Sequence, residues 1–578
     1  MKNTARRLFY SPVIIAYFSV IALSCEDYLD VKPENVLLPE QFYRDKFDAD
    51  AAVRGIYGRL MNLAPQYVIL NELRADMMDV TTNADQYLRQ INLHYTDGYN
   101  PWTDPQPFYS LINDCNDALT NFNIMLSDLK ISREDYDQRY SDIGTLRSWL
   151  YLQVVIHYGL VPYITFPMDN VEDLKKLDDA SMPYLNIEQM IDTLISFMES
   201  LPYMQLYSDP SLMDPVDGYD PRIMYIDKEF FLGDLYLWKG DYLAAASYYK
   251  SVIERNTGIN EFDSYKIPYG DLLKLENLDK FNSSYIRYYY YDKNSVVNHW
   301  PWMFDVTQTT DYFTEWIWVL YYDDKYAPYN PFIDLFSNTA GKYYLKPSNL
   351  AIESWNSQIQ RNQFKGDFRG ITGSYDTING QPVIMKYIYN YSELTPFDRS
   401  GKWFLLRAGG LHLRYIEAAN RDGKYKIAYS LLNDGVSANY SVSGAVDLTY
   451  LGQTLLPFPY DFDARKAEGS QIPLFVRGLY HRNIGIRGRV YLENRELEEG
   501  ADSLTVLENQ VIEEAALELA YEGQRWGDLV RIAIRRNDPS FLADKVYDKL
   551  QKGGYTEAGQ VREKLNNRDG WFLPLNFE

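Results

Sequence analysis

Apolar residues recur at helical spacing along most of the chain, and this pattern predicts a mainly α-helical protein. Side chains three and four residues apart share one face of a helix, so such spacing marks a face that packs against a core. The segment 142–158 also has a typical helix end, because Gly159 follows its last apolar residue and Pro162 lies just beyond. The pattern predicts helices over 48–63, 108–129, 142–158 and 186–201.

Three later segments each divide into two apolar-faced halves around a glycine. They are 229–254 around Gly240, 411–433 around Gly423 and 513–535 around Gly523. In the first segment, Ala244 and Ala245 would let two helices approach closely, and Trp238 would fill the gap beside them. A helix pair of this kind cannot bury its apolar face alone, so neighbouring pairs are expected to stack. We therefore predict a tetratricopeptide-like helical repeat scaffold.

Two long stretches lack this periodicity and are interpreted as an irregular capping subdomain carried on the scaffold. Stretches of such length inside a compact domain are usually functional or structured insertions. The predicted organisation is a leader (1–24), a lipidated tether and extended arm (25–40), N-terminal helical repeats (41–255), a capping insertion (256–400), a central repeat (401–435), a second insertion (436–510) and a C-terminal repeat with its tail (511–578).

The first residues have the anatomy of a secretory signal. Lys2, Arg6 and Arg7 precede an apolar run that ends in Ala-Leu-Ser directly before Cys25. Small residues before a cysteine resemble a bacterial lipobox, so Cys25 is predicted to become the lipid-modified N-terminus. The alternative is a plain signal peptide with an incidental cysteine. No other stretch reaches the 18 or so uninterrupted apolar residues that a membrane span needs, so we expect a soluble body on a lipid tether.

Composition narrows the classes of function. A formal net charge of -23 makes a phosphate-gripping basic surface, and hence nucleic-acid binding, a poor expectation. The 53 tyrosines are mostly ascribed to helix packing, although the same side chain suits grooves that bind sugars or peptides. With Cys25 assigned to lipid, Cys115 is predicted to be a buried thiol without a disulfide.

Seven segments, taken in order along nearly the whole chain, resemble the SusD/RagB family of outer-membrane nutrient-binding lipoproteins. They are CEDYLDVKPE at 25–34, RSWLYLQVVIHYGLVPYITFP at 147–167, GDLYLWKGDYLAAASYYKSVI at 233–253, LHLRYIEAANRDGKY at 411–425, NIGIRGRV at 483–490, ELAYEGQRWGDLVR at 518–531 and WFLPLN at 571–576. Each segment alone is weak, and their number and order carry the resemblance. One departure is that 411–414 reads Leu-His-Leu-Arg where the family more usually has Leu-Arg-Leu-Ala-Glu.

The resemblance implies a lipid-anchored protein on the extracellular side of the outer membrane. It would act as a lid on a SusC-like TonB-dependent transporter and trap an oligosaccharide or polysaccharide for import. An oligopeptide binder, or a structural lid with little affinity of its own, remains an alternative. No enzyme is expected, since the sequence has no HExxH, GxSxG or Walker loop, and its five histidines lack metal-ligand spacing. We accordingly predict no catalytic residue, metal or cofactor.

Two clusters combine the aromatic and planar polar side chains that sugar recognition uses. The first, 71–102, contains Asn71, Arg74, Asp76, Asp79, Asn83, Asp85, Tyr95 and Trp102, and the second, 285–302, contains a tyrosine run followed by Trp300-Pro301-Trp302. The candidate ligand-binding residues are Arg74, Asp79, Trp102, Trp300 and Trp302, with the proline taken to favour exposure of its two tryptophans. By contrast, Trp316 and Trp318 are predicted to lie in a buried strand or short helix, and 522–528 to clamp the last repeat structurally.

Overall fold

The structure is a computed structural model. It describes residues 42–96, 99–168, 182–215, 218–219, 221–255, 300–301, 303–304, 315–440, 452–464, 480, 483–497 and 502–576. The predictions for the leader and for Cys25 therefore lie outside the described residues.

Helices dominate the described ranges, which confirms the predicted fold class. In chain order they are α1 (Lys46–Leu60), α2 (Ala64–Val68), α3 (Gln86–Asn92), α4 (Gln106–Ser127), α5 (Arg133–Tyr158), α6 (Ile187–Glu199), α7 (Pro210–Met213), α8 (Lys228–Lys239), α9 (Tyr242–Glu254), α10 (Phe332–Phe336), α11 (Asn349–Asn356), α12 (Ala408–Arg421), α13 (Tyr425–Leu432), α14 (Val436–Tyr440), α15 (Ile486–Arg489), α16 (Ser503–Leu519), α17 (Arg525–Arg536), α18 (Pro539–Lys552) and α19 (Ala558–Leu565). A π-helical turn, Ile69–Leu73, extends α2.

The predicted helix pairs are present and stack on one another. Helix α8 packs on α9, α12 packs on α13, and α9 also packs on α12, which in turn contacts α16. Gly240 ends α8 in the left-handed conformation with φ 88°, a conformation that glycine adopts without a steric penalty. Gly233 faces α9, and a Cβ atom there would come within 2.9 Å of the Tyr249 ring. The small residue therefore permits the close approach of α8 and α9.

Helix α5 is longer than its apolar pattern predicts, since it begins at Arg133 rather than at 142. Its added turns bury charge instead of apolar groups: Arg139 Nε donates to Asp50 at 2.7 Å and Nη2 donates to Asp209 at 2.9 Å. A buried cation is tolerated when carboxylates pair with it. A pattern that counts only apolar residues misses such a turn.

Short antiparallel strand pairs connect the helices. The strands are β1 (Met78–Val80), β2 (Val161–Pro162), β3 (Tyr184–Leu185), β4 (Trp316–Tyr322), β5 (Leu345–Pro347), β6 (Tyr375–Ile378), β7 (Gln381–Ile384) and β8 (Gly401–Arg407). They pair as β1–β5, β2–β3, β4–β8 and β6–β7. β4 confirms the expectation for Trp316 and Trp318, both of which are buried. The stretch 315–400 thus lacks helical periodicity because it is built of strands and short helices.

The interior agrees with a further expectation, since Cys115 is a buried free thiol on α4. His157 on α5 and His412 on α12 are also buried. In the described ranges, no helix is long and apolar enough to span a bilayer, and no group of three or more His, Cys, Asp or Glu side chains could hold a metal ion.

Candidate ligand-binding surface

Arg74 is a buried support and not a surface contact. It follows the π-helical turn, and its guanidinium carbon lies 4.0 Å from the Trp526 ring centroid. Nη2 donates to the Trp571 carbonyl, and Nη1 lies 3.2 Å from Nδ1 of His157. Burial lowers the pKa of Arg74 to about 9. Arg74 is thus buried and hydrogen-bonded within the fold, whereas the sequence suggested a residue that contacts ligand at the surface.

Asp79 on β1 is likewise buried, and it fixes the end of α3. Its Oδ1 accepts hydrogen bonds from Asn92 Nδ2 at 3.0 Å and from the Tyr555 hydroxyl at 2.7 Å. Asn92 is held from its other side by Lys549, whose Nζ donates to Asn92 Oδ1 at 2.9 Å and to the Leu73 carbonyl at 2.7 Å. Burial lowers the pKa of Lys549 to about 8. This network ties the last residue of α3 to the C-terminal helices.

Residues 93–96 leave α3 from this fixed point, and together with residues 99–103 we call them the tyrosine loop. His94 Nε2 lies 2.8 Å from the Arg74 carbonyl oxygen, and the His94 ring lies 5.3 Å from that of Trp526. At the other end, Asn100 Nδ2 donates to the Tyr87 carbonyl at 2.9 Å. The loop is thus anchored by buried groups on both sides of its two outward-facing tyrosines.

Those tyrosines are the exposed aromatic surface of the loop. Tyr95 is 75% exposed and Tyr99 is 80% exposed. Tyr95 belongs to the cluster that the sequence indicated, whereas Tyr99 was not singled out.

Trp102 occupies an intermediate position. It lies in the 3-10 turn Pro101–Thr103, where the Trp102 N–H donates to Asn100 Oδ1 at 3.0 Å. The Trp102 carbonyl accepts from Gln66 Nε2 at 3.1 Å, and the indole packs partly against the core. Half-buried beside Tyr99, Trp102 remains a candidate contact residue.

Trp300 is fully buried, so the exposure predicted for it is wrong. Its ring centroid lies 5.5 Å from the guanidinium carbons of both Arg407 and Arg489 and 6.0 Å from Lys386 Nζ. Cations attract the negative face of an indole, and the attraction is stronger away from water. This burial over cations overrides the local effect of Pro301. Trp302 lies outside the described residues.

The cations beneath Trp300 belong to a buried charge cluster. We use this name for Glu315, Arg369, Lys386, Arg407, Arg489, Glu518 and Glu522, all of which are buried. Arg407 Nη1 donates to Glu518 at 2.7 Å and its Nε donates to Glu522 at 2.8 Å. Every carboxylate of the cluster contacts at least one cation. The cluster joins β4 and β8 to α16.

The segment 522–528 acts as the predicted structural clamp. Arg525 forms a bidentate pair with Asp76, both contacts being 2.7 Å. Glu72 accepts from the backbone N–H groups of Tyr521 at 3.0 Å and Gly523 at 2.8 Å. These contacts fasten the start of α17 to the residues that precede β1.

One cavity inside the helical body is too small for a nutrient. This cavity measures about 50 Å³ and is lined by Trp149, Trp318, Asp234 and Arg414 among others. Ligand sites for small organic molecules commonly measure several hundred Å³. A space of this size suits one or a few water molecules, which could satisfy the Arg414 guanidinium.

The comparisons with known proteins agree with this architecture. The SusD family model matches residues 483–575. A SusD superfamily protein from Bacteroides thetaiotaomicron VPI-5482 has 15% identity and a TM-score of 0.54, with 93% of this chain and 99% of that chain covered. A SusD superfamily protein from Bacteroides vulgatus ATCC 8482 has 12% identity and a TM-score of 0.54, with 90% and 92% covered.

A further similar structure is described as a SusD-like carbohydrate binding protein from Bacteroides fragilis NCTC 9343. It has 12% identity and a TM-score of 0.52, with 86% of this chain and 88% of that chain covered. No curated protein sequence matches the chain. The class is therefore that of helical proteins with the SusD fold. Together with the C-terminal match to the SusD family model, this agrees with the resemblance found in the sequence.

Proposed function

We propose that this protein captures an oligosaccharide or polysaccharide at the bacterial surface and passes it to a SusC-like TonB-dependent outer-membrane transporter. The observation that carries the proposal is the tyrosine loop, which presents Tyr95 and Tyr99 to solvent from a buried, hydrogen-bonded base. The carbohydrate-binding description of one SusD-like neighbour gives further support. Catalysis is not part of the proposal.

Exposed tyrosine rings beside fixed residues suit the binding of a sugar. A sugar ring has an apolar face that packs on an aromatic side chain, and tyrosine adds a hydroxyl for hydrogen bonding. Tyrosine also loses little conformational entropy on binding, because it has only two side-chain torsions. His94 and Asn100 fix the chain next to Tyr95 and Tyr99 before ligand arrives, which reduces the ordering cost of association.

The proposed location depends on Cys25. Lipid attached to this residue would hold the protein on the extracellular side of the outer membrane, where it could cover the transporter. Cys25→Ala should release the mature protein from the outer-membrane fraction. Retention of the variant at the unmodified level would contradict the anchor.

The ligand class is tested with Tyr95→Ala, Tyr99→Ala and the double variant. Titration calorimetry against a panel of neutral glycans and oligopeptides should show glycan binding that weakens by about fivefold for each lost ring, or about 1 kcal/mol by analogy with other aromatic contacts. Melting temperatures should stay unchanged, since both rings are exposed. Tyr425→Ala, which removes a 55% exposed tyrosine from α13, is the matched control.

Each other outcome of the panel identifies a different function. Binding of peptides without glycans would identify an oligopeptide binder of the same architecture. No binding to either class would favour a structural lid. Glycan binding that survives loss of both tyrosines would move the site to another surface.

A further inference from the structure

A second concavity opens between α11, α16 and α18, away from the tyrosine loop. It encloses about 440 Å³, and none of its lining residues belongs to residues 93–103. This volume falls in the range of clefts that bind small organic ligands. Met77, Leu350, Ala516 and Leu517 form apolar parts of its wall. We call it the α11–α18 cleft.

Acidic and basic side chains line the α11–α18 cleft in equal number, but they differ in how many of their hydrogen-bonding groups have partners. Asp76 has both oxygens bound by Arg525 at 2.7 Å. Glu513 receives Arg495 Nη1 at 2.7 Å, and Lys545 Nζ lies 3.5 Å away. Two of the acids are thus already occupied by cations of the cleft.

The remaining lining charges have different surroundings. Arg487 Nη1 donates to Gln358 at 3.2 Å, and its Nε donates to the Glu493 carbonyl at 2.9 Å. The Glu493 carboxylate accepts from Gln363. Asp548 is an exposed carboxylate of α18. Arg487 and Glu493 are therefore held by neighbours, and Asp548 is the acid left open to solvent.

Spare hydrogen-bonding capacity is concentrated on two cations, Lys545 and Arg495. An ammonium group has three donors, and among the described residues Lys545 Nζ has Glu513 as its acceptor. The Nε of Arg495 lies 3.7 Å from Glu514 and has no hydrogen-bond partner in the described part of the chain. Both side chains are mostly buried yet retain some solvent contact. They face one carboxylate, Glu513, from two sides.

We propose that the α11–α18 cleft binds a small ligand through a carboxylate placed between Lys545 and Arg495. Charged donors form shorter and stronger hydrogen bonds with a carboxylate than neutral donors do. The ligand carboxylate would share these donors with Glu513, while Asn494 and Ser357 line the cleft for its neutral polar groups. Two sources supply such a carboxylate: a uronate unit of an acidic glycan or the C-terminus of a peptide.

The test uses the full mature protein and titration calorimetry with galacturonate and glucuronate in one arm and dialanine in the other. Methyl galacturonate ester and dialanine amide remove the negative charge and serve as ligand controls. Binding of a carboxylate compound but not of its ester or amide is expected, and the arm that responds identifies the source. Binding of neither carboxylate, or equal binding of the ester and amide, would overturn the proposal.

The variants locate the site. Lys545→Met should weaken binding by at least tenfold, and Arg495→Gln should do the same if the variant folds. Lys552→Met is the control, since Lys552 lies on the same helix α18 and pairs with Glu353 on the surface. Binding unchanged by Lys545→Met would overturn the proposal. Tyr95→Ala should leave this binding intact, so the result is independent of the fate of the tyrosine loop.

Discussion

The charge cluster and the tyrosine loop both contain residue types on which protein function often depends. They differ in exposure, because the cluster is buried and the loop tyrosines face solvent. In the cluster, arginines, a lysine and glutamates are buried and bind one another. In the loop, Tyr95 and Tyr99 project into solvent from a buried base. Burial keeps the groups of the ion network away from a ligand, whereas the exposed rings of Tyr95 and Tyr99 are accessible to one.

This difference explains where the family resemblance falls. The SusD family model matches 483–575, a segment that supplies Arg489, Glu518 and Glu522 to the charge cluster. It also supplies Arg525 to the pair with Asp76. The matched segment thus encodes the internal charges that hold the fold together. The tyrosine loop lies outside it, so the match defines the architecture and leaves the ligand to be determined by experiment.

The largest expected effect removes the centre of the charge cluster. Glu518 accepts hydrogen bonds from Arg369 at 2.8 Å, from Arg407 at 2.7 Å and from Arg489. Glu518→Gln leaves these buried guanidinium groups short of one negative charge and should lower the free energy of unfolding by about 5 kcal/mol. Urea denaturation measures the loss. Glu353→Gln, on an exposed surface pair, should change it by less than about 0.5 kcal/mol. Equal effects of the two changes would show that the cluster is not a stabilising centre.

The next effect tests whether Trp300 belongs to the interior or to the ligand surface. Trp300→Ala should lower the free energy of unfolding by about 4 kcal/mol, because it leaves a cavity over three cations. Trp300→Phe keeps an aromatic face there and should cost less. Ligand affinity of the folded variants, measured by calorimetry, should not change. Unchanged melting together with weakened binding would place Trp300 back on the ligand surface.

The pH dependence of stability tests Glu514, a buried carboxylate that pairs with Arg369 of the charge cluster. Burial opposes ionisation of this carboxyl, but Arg369 and Arg487 lower its pKa from 4.5 to about 2. A depressed carboxyl pKa contributes stability that is present above pH 4.5 and is lost as pH falls towards 2. At pH 3 the loss should be about 2 kcal/mol. Urea denaturation from pH 7 to pH 3 should show this decline, and Glu514→Gln should remove its share. A variant with the same pH slope as the parent would contradict the assignment.

The local pattern of apolar residues was sufficient to predict the helical scaffold, but it was insufficient to predict the candidate ligand-binding surface. The pairs around Gly240 and Gly423 were predictable because apolar spacing and turn residues act within a few turns of chain. The partner of Arg525 was not, since Asp76 lies 449 residues away. Arg74 and Asp79 were expected to meet ligand because their side chains are polar, but distant segments bury them. Whether a tyrosine is buried or exposed likewise depends on neighbours that are distant in sequence. The exposure of Tyr99 could therefore not be predicted from local pattern.

The smallest expected effect divides the contribution of the loop tyrosines into ring and hydroxyl. Tyr95→Phe and Tyr99→Phe keep the aromatic face and remove one hydrogen-bonding group each. If ligand packs on the faces, affinity in calorimetry should stay within about twofold of the parent, or about 0.4 kcal/mol. If the hydroxyls instead donate to ligand, their loss should cost about 1 kcal/mol each, a typical net value for a neutral hydrogen bond. Because both residues are exposed, neither change should move the melting temperature. A phenylalanine variant that binds as weakly as the alanine variant would therefore show that the loop recognises its ligand through hydrogen bonds. The loop would then differ from the buried charge cluster in its accessible hydroxyl groups and not in its accessible rings.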